Sequence, residues 1–344
     1  MKKMLALLLA LVMVLSLAAC ASSQPAAAST ETAETTETTE TTEPAAEAPA
    51  ESGKTYTVGV CQLVQHEALD AATQGFVDAL KEELGDAVTV DVQNASGDSV
   101  NCGTIVNGFV SKGVDLIMAN ATPALTAAVS ATADIPILGT SITAYGVALD
   151  IDDFNGTVGG NVSGTSDLAD LQAQAQMILD WFPETKTVGL LFCSAEPNSR
   201  YQIDEVRKAL EAQGVTCEEF AFTDSNDVSS VTQKAADFSD VVYIPTDNTA
   251  ASNTEAIANV LIPAGVPAVC GEEGLCRGCG VATLSISYYD LGVTTGKMAA
   301  KILKGEADIS TMPVEYTDAT PKYNASVCEQ LGITPLDGYE AIDG

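Results

Sequence analysis

From Tyr56 onward, short apolar runs rich in β-branched residues alternate with longer stretches whose apolar positions recur at helical spacing. Tyr56-Thr57-Val58-Gly59-Val60-Cys61 predicts a buried strand, and Ala68, Ala72, Phe76, Ala79, Leu80 and Leu84 then fall near one face of a helix. The alternation continues with a strand over 88–92, a helix over 99–112, a strand over 115–119, a helix from Pro123 and a strand over 135–138. It restarts with a helix over 167–182, followed by strands over 187–192, 215–220, 241–244 and 266–270, with helices between them over 199–213, 228–237 and 252–264. Apolar strands separated by helices pair in parallel and are covered on both faces. Two successive series therefore predict an α/β protein of two Rossmann-like lobes. A helix over 291–303, a strand over 314–317 and a helix over 324–331 are expected to cross between the lobes and complete both.

Ahead of this pattern the chain has a different character. Lys2 and Lys3 precede an apolar run from Met4 to Leu17, followed by Leu17-Ala18-Ala19-Cys20. Basic residues, an apolar stretch and small residues at a cleavage site read as a secretory signal over 1–20, and the run is short for a permanent span. Cys20 after Leu-Ala-Ala resembles a bacterial lipobox, which implies a diacylated mature N-terminus and attachment to the outer face of the cell membrane. Residues 21–54 repeat Thr and Glu with Pro25, Pro44 and Pro49 between them, and they offer little beyond Ala to bury. Such a segment cannot offset its own ordering entropy, and its carboxylates repel, so a disordered tether is expected.

Length and charge narrow the function. The 344 residues exceed what one hydrophobic core usually serves. The formal net charge is −32, of which the tether's glutamates carry only a small part. A surface this acidic repels phosphate backbones and anionic headgroups, which excludes nucleic acid as a partner and leaves the lipid as the anchor. A monomer is expected.

In open parallel sheets ligands bind beyond the carboxyl ends of the strands, at helix N-termini. The segments there are polar and compact: Gln65-His66-Glu67, Asn120-Ala121-Thr122-Pro123, Gly139-Thr140-Ser141, Gly164-Thr165-Ser166-Asp167, Glu196-Pro197-Asn198-Ser199, Pro245-Thr246-Asp247-Asn248 and Gly271-Glu272-Glu273-Gly274. Any single Ser, Thr, Asp or Asn among them also serves as a helix cap. The basic residues nearest to them are Arg200 and Arg277, just beyond two of the segments, few for a phosphate or dicarboxylate binder. Asp167, Glu196, Asp247 and Glu272 suit a ligand ammonium, while hydroxyls and helix N–H groups can take a carboxylate, so a zwitterion fits. His66, the only histidine, could contact ligand, cap a helix or sense pH, with ligand contact preferred. Tyr145 is placed to stack on a ligand ring, whereas Trp181 lies far along its helix and is read as packing.

Val64-Gln65-His66-Glu67-Ala68-Leu69-Asp70, Gly164-Thr165-Ser166-Asp167, Pro245-Thr246-Asp247-Asn248-Thr249, Gly271-Glu272-Glu273-Gly274 and Tyr288-Tyr289-Asp290-Leu291-Gly292 together resemble the ABC-transporter substrate-binding family that includes tryptophan/tyrosine-type binders. The resemblance implies a type I periplasmic-binding-protein fold, with lobes over 55–162 plus 287–312 and 163–286 plus 313–340 joined by a three-segment hinge. It also implies a small-molecule ligand, an amino acid as the first choice with a nucleoside or sugar as alternatives, and a membrane permease as partner. A sensory role is the other functional class. Carried over by motif, the ligand contacts are Gln65, His66, Thr122, Thr140, Thr165, Asp167, Glu196, Asn198, Asp247 and Asn248. The chain departs from the family pattern at Leu275-Cys276-Arg277-Gly278-Cys279.

Beyond Cys20 there are eight cysteines, several in predicted strands where they pack as small hydrophobes. Cys276-x-x-Cys279, placed in a glycine-rich turn, leaves free thiols, a labile disulfide or, with Cys270, zinc as open readings. No Gly-x-Ser-x-Gly elbow or Walker loop is present, and one histidine gives little material for catalysis. No enzyme activity, cofactor or metal is expected.

Overall fold

The computed structural model describes residues 54–342. The leader, Cys20 and most of the tether read from the sequence lie outside them. The first sheet has six strands, in spatial order Glu315–Tyr316, Val162–Ser166, Ile137–Ile142, Leu116–Asn120, Tyr56–Gln62 and Val88–Asn94, all parallel. The second has seven: Glu340–Ala341, Thr320–Tyr323, Ala282–Ser285, Ala268–Cys270, Val241–Ile244, Thr187–Cys193 and Thr216–Phe222. Only the pairing of Thr320–Tyr323 with Ala282–Ser285 is antiparallel.

Both sheets were anticipated from the apolar runs, and the central strands are buried end to end. The lobe boundary differs from the sequence reading. Residue 163 was expected to open the second lobe, yet the whole strand Val162–Ser166 pairs with Ile137–Ile142 in the first sheet, and Glu315–Tyr316 joins it there. The chain crosses between lobes at 167–170, 286–287 and 317–319. The helix expected from 167 begins only at Leu171, where the Asp170 carboxylate accepts from the Gln172 and Ala173 amides. That leaves Asp167 in a crossover.

The helices Glu67–Leu84 and Tyr288–Lys304 cover one face of the first sheet, with Phe76, Leu80, Met298 and Leu303 packed on Val58, Val60 and Met118. The two helices approach backbone to backbone. A Cβ at Gly292 would collide with the Ala72 carbonyl, and one at Gly75 with the Tyr289 carbonyl. Tyr145 is buried in this lobe, stacked at 6.3 Å on Phe154, with its hydroxyl donating to the Thr165 carbonyl. It is a core residue and not a ligand platform, because the short helix Tyr145–Ala148 turns the ring inward beneath Gly139 and Gly164. Trp181 packs against Phe182, Tyr323 and Tyr339, as read from its distance along the helix.

The segment expected as a glycine-rich turn is the helix Glu273–Cys279, so Cys276 and Cys279 lie on successive turns of it. The cysteines of the described residues are free thiols. Gly292→Val should lower unfolding stability by about 1–3 kcal/mol through overpacking. Urea denaturation with an unchanged slope but a lower midpoint would show it, and an unaltered midpoint would refute the close helix contact.

Candidate functional site

Where the strand order reverses, the carboxyl ends of Tyr56–Gln62 and Leu116–Asn120 face those of Thr187–Cys193 and Val241–Ile244. Reversal points of this kind leave a crevice. Here the crevice is closed down to a cavity of only about 10 Å³, lined by His66, Leu69, Ser141, Thr143, Asp167, Asn198, Thr246, Asp247, Asn248, Ala251, Glu272 and Tyr288. Both lobes contribute. They touch through His66 Nε2 and Asn248 Oδ1 at 3.2 Å, and through Arg277 Nε and Glu67 Oε1 at 3.1 Å.

The cavity's carboxylates are held in different ways. Asp247 opens a short helix at Asn248; its oxygens accept from the Cys193 and Ala250 amides. Glu272 accepts from the Gly274 and Leu275 amides at the start of the cysteine-bearing helix. Glu196 lies just outside, in the wider solvent-open mouth, and accepts from the Asn248 and Thr249 amides and side chains. These contacts knit the second lobe together and leave those oxygens little capacity for a ligand. Asp167 differs. Oδ2 accepts from the Tyr288 hydroxyl at 2.9 Å, and Oδ1, although buried, has no partner.

Two further cavity-lining atoms share that state, Ser141 Oγ and Asn198 Oδ1. Asn198 Nδ2 is occupied by the Thr246 carbonyl at 3.1 Å, which leaves its oxygen unsatisfied. Ser141 adopts φ +57° where the register of Ile137–Ile142 shifts against its neighbour, a conformation uncommon outside glycine. Buried polar atoms are normally paired, so three orphans around one cavity mark where a polar ligand is received.

Burial also moves the charges. It raises the Asp167 carboxyl, an effect opposed by the Tyr288 hydrogen bond and by the nearby Thr143 hydroxyl, which does not complete a bond to Oδ1. Asp247 is pushed up to about 8 and Glu272 to about 7, again mainly by burial. His66 is lowered by burial and stays neutral, with its Nε2–H donated to Asn248. The cavity lining thus has several carboxyl groups and no Lys or Arg. Arg200 is engaged by Glu219 and Asp204, and Arg277 by Glu67 and Glu273.

Of the contacts carried over by motif, the structure brings His66, Asp167, Asn198, Asp247 and Asn248 to the cavity. Gln65 is exposed on a neighbouring rim, and Glu196 lines the outer mouth. Thr140 and Thr165 lie beneath the site, bonded to each other at 3.1 Å, with Thr165 also bonded to Thr295 at 2.9 Å. Thr122 is buried at the start of its helix and does not line the cavity. Leu69, Thr143, Ala251 and Tyr288 were missed as lining residues. Tyr288 stood in a quoted motif, but nothing local distinguishes it from exposed Tyr289. Among the described residues no group of His, Cys, Asp or Glu is placed to hold a metal.

Comparison with known proteins bears on this geometry. The family model for ABC transporter substrate binding proteins matches residues 57–338. A tyrosine-binding protein of Clostridioides difficile (strain R20291) is 32% identical over 276 residues, covering 78% of this chain and 79% of the relative. The solved ABC domain from Streptococcus pneumonia in complex with L-Trp is 32% identical, covers 84% of this chain and all of its own, and superposes with a TM-score of 0.79. The ligand-free, open structure of a substrate-binding protein with adhesive properties from Clostridium difficile is 33% identical over 84% of this chain and 99% of its own, with a TM-score of only 0.64. At equal identity the better match to the occupied relative agrees with lobes that are closed here.

The raised carboxyls dictate how stability varies with pH. Between the ordinary carboxylate range near pH 4 and about pH 8, the ligand-free fold holds protons that the unfolded chain has released. The carboxyls' contribution to stability therefore falls as pH rises through that window, against an opposite contribution from His66, which burial lowers from its ordinary value of 6.5. Tm should be lower at about pH 8 than at about pH 5.5, by roughly 2–4 °C for each kcal/mol lost, and Glu272→Gln should flatten the slope. A slope unaltered by Glu272→Gln would contradict the assignment.

Proposed function

We propose that this chain, which belongs to the ABC transporter substrate-binding protein family, captures a single amino acid with an aromatic side chain outside the cytoplasm and presents it to a membrane permease. The observation that carries the reading is the set of orphan atoms Ser141 Oγ, Asp167 Oδ1 and Asn198 Oδ1 around one closed, acidic cavity. An ammonium offers three N–H donors, and Asp167 and Asn198 offer it two acceptors that have no other partner. The Ser141 hydroxyl is the donor left for the carboxylate. Leu69, Ala251 and the ring of Tyr288 supply apolar lining, and the cavity, closed here to about 10 Å³, has to widen by movement of the lobes before a ligand enters. The printed ligands of the tyrosine-binding and L-Trp-bound relatives support an aromatic side chain.

The protein works by trapping, with no covalent step. The open form exposes Asp167 and Asn198, the ligand's ammonium satisfies both, and the lobes close through contacts that the ligand makes to each. Cys20, diacylated and followed by the Thr/Glu tether, holds a monomer to the outer membrane face while leaving the lobes free to meet the permease.

Calorimetry with L-tyrosine and L-tryptophan tests the ligand. Asp167→Asn keeps the shape but removes the charge, and should weaken binding more than tenfold, on the order of 1.5–3 kcal/mol. Binding of neither amino acid, with tight binding of a neutral sugar, would displace this reading. Cys20→Ser should abolish incorporation of labelled fatty acid and shift the protein from membranes to medium; retained labelling would exclude anchoring through this residue.

A further inference from the structure

Asp167 lines the cavity, with one oxygen bonded to Tyr288 and the other without a partner. It occupies the first crossover, 167–170, while Tyr288 begins the helix that follows the second, 286–287. Their bond, Tyr288 hydroxyl to Asp167 Oδ2 at 2.9 Å, joins positions 121 residues apart, and the two side chains are 6% and 5% exposed. The chain on either side is fixed. Ser166 Oγ donates to the Thr143 carbonyl and accepts from the Leu168 amide, and the Ser287 hydroxyl accepts from the Asp290 amide at the start of the helix. With Oδ2 taken and the backbone held, Oδ1 is left buried without a partner, on a residue that lines the cavity.

Resting on the reading of this cavity as an ammonium site, we propose that Tyr288 is a positioning residue for the ligand: its hydroxyl pins Asp167 between two hinge crossovers, aims Oδ1 at the ammonium, and so ties capture to the segments about which the lobes turn. Tyr288 also keeps that carboxyl in its receptive form. Burial favours protonation of Asp167, and the Tyr288 donor is the main influence opposing it. The other titratable groups around it are Tyr145 from the short helix beneath, and His66, Asp247 and Glu272 in the cavity lining. His66 is neutral, and no cation lies in the lining to replace the lost donor.

The test is Tyr288→Phe, which removes one oxygen and preserves the ring. Affinity for L-tryptophan and L-tyrosine is measured by calorimetry between about pH 6 and pH 8.5 in the full folded protein. Tyr289→Phe serves as control, since that exposed tyrosine's hydroxyl meets half-buried Asp78 and neither residue lines the cavity. At about pH 6 the Tyr288→Phe protein should bind at least tenfold more weakly than wild type, and the gap should shrink to within about threefold by pH 8.5, because an unpartnered Asp167 must first lose its proton to accept the ammonium. In the Asp167→Asn background the same change should add less than half of its effect alone. A gap that is equal at every pH, or strictly additive with Asp167→Asn, would assign Tyr288 to packing and overturn the proposal. So would wild-type affinity throughout. A wild-type protein that binds neither amino acid overturns the ammonium reading itself, and this role with it; a wild-type protein that binds while Tyr288→Phe matches it overturns this role alone.

Discussion

Carboxyl groups buried where the two lobes meet, with no basic side chain lining the same cavity, are the constraint on which the rest of this structure depends. Removing an ion from water costs several kcal/mol unless partners replace the lost hydration. Asp247 meets that cost with the Cys193 amide at a strand end and the Ala250 amide of its short helix, and Glu272 with two amides at a helix start, where the helix dipole also favours negative charge. Asp167 has no helix start to lean on, and it relies on one tyrosine hydroxyl. The imbalance is tolerable in an open, wetted crevice and costly in a closed, empty one. A cationic ligand group relieves it.

The contacts that hold the lobes together without ligand are few. The half-exposed Glu67–Arg277 pair belongs to a class worth about 0–1 kcal/mol, and the His66–Asn248 bond is a neutral one worth about 1 kcal/mol. Neither is large against the cost of sealing Asp167 away from water. Closure therefore draws on the ligand, which is the property a capture protein requires: it shuts when loaded and can reopen when the ligand leaves.

The scaffold keeps the two halves of this trade apart. Rigid packing sits behind the site, in the glycine contacts between the helices Glu67–Leu84 and Tyr288–Lys304 and in the hydroxyl ladder of Thr140, Thr165 and Thr295. The cysteine-bearing helix behind Glu272 fits the same plan. Its thiols are buried and raised by desolvation at Cys276, so they act as packing beneath a cap and not as a reactive pair. Asp167 is placed in one of the crossovers that join the lobes, apart from this packing.

By itself the sequence determined the two βα series, the acidic charge, and which loops gather at the strand ends, because all of these are written in local composition and periodicity. It pointed to His66, Asp167, Asn198, Asp247 and Asn248, which line the cavity, for the same reason. Only the tertiary structure decided that Asp247 spends its oxygens on backbone amides while Asp167 keeps one free, that Tyr145 points into the core and Tyr288 into the cavity, and that the strand Val162–Ser166 belongs to the first sheet. A strand's pattern reveals that it is buried, not which sheet it pairs with. A side chain's identity states what it can bond, but its partners arrive from segments more than a hundred residues away, and only the fold brings them within reach.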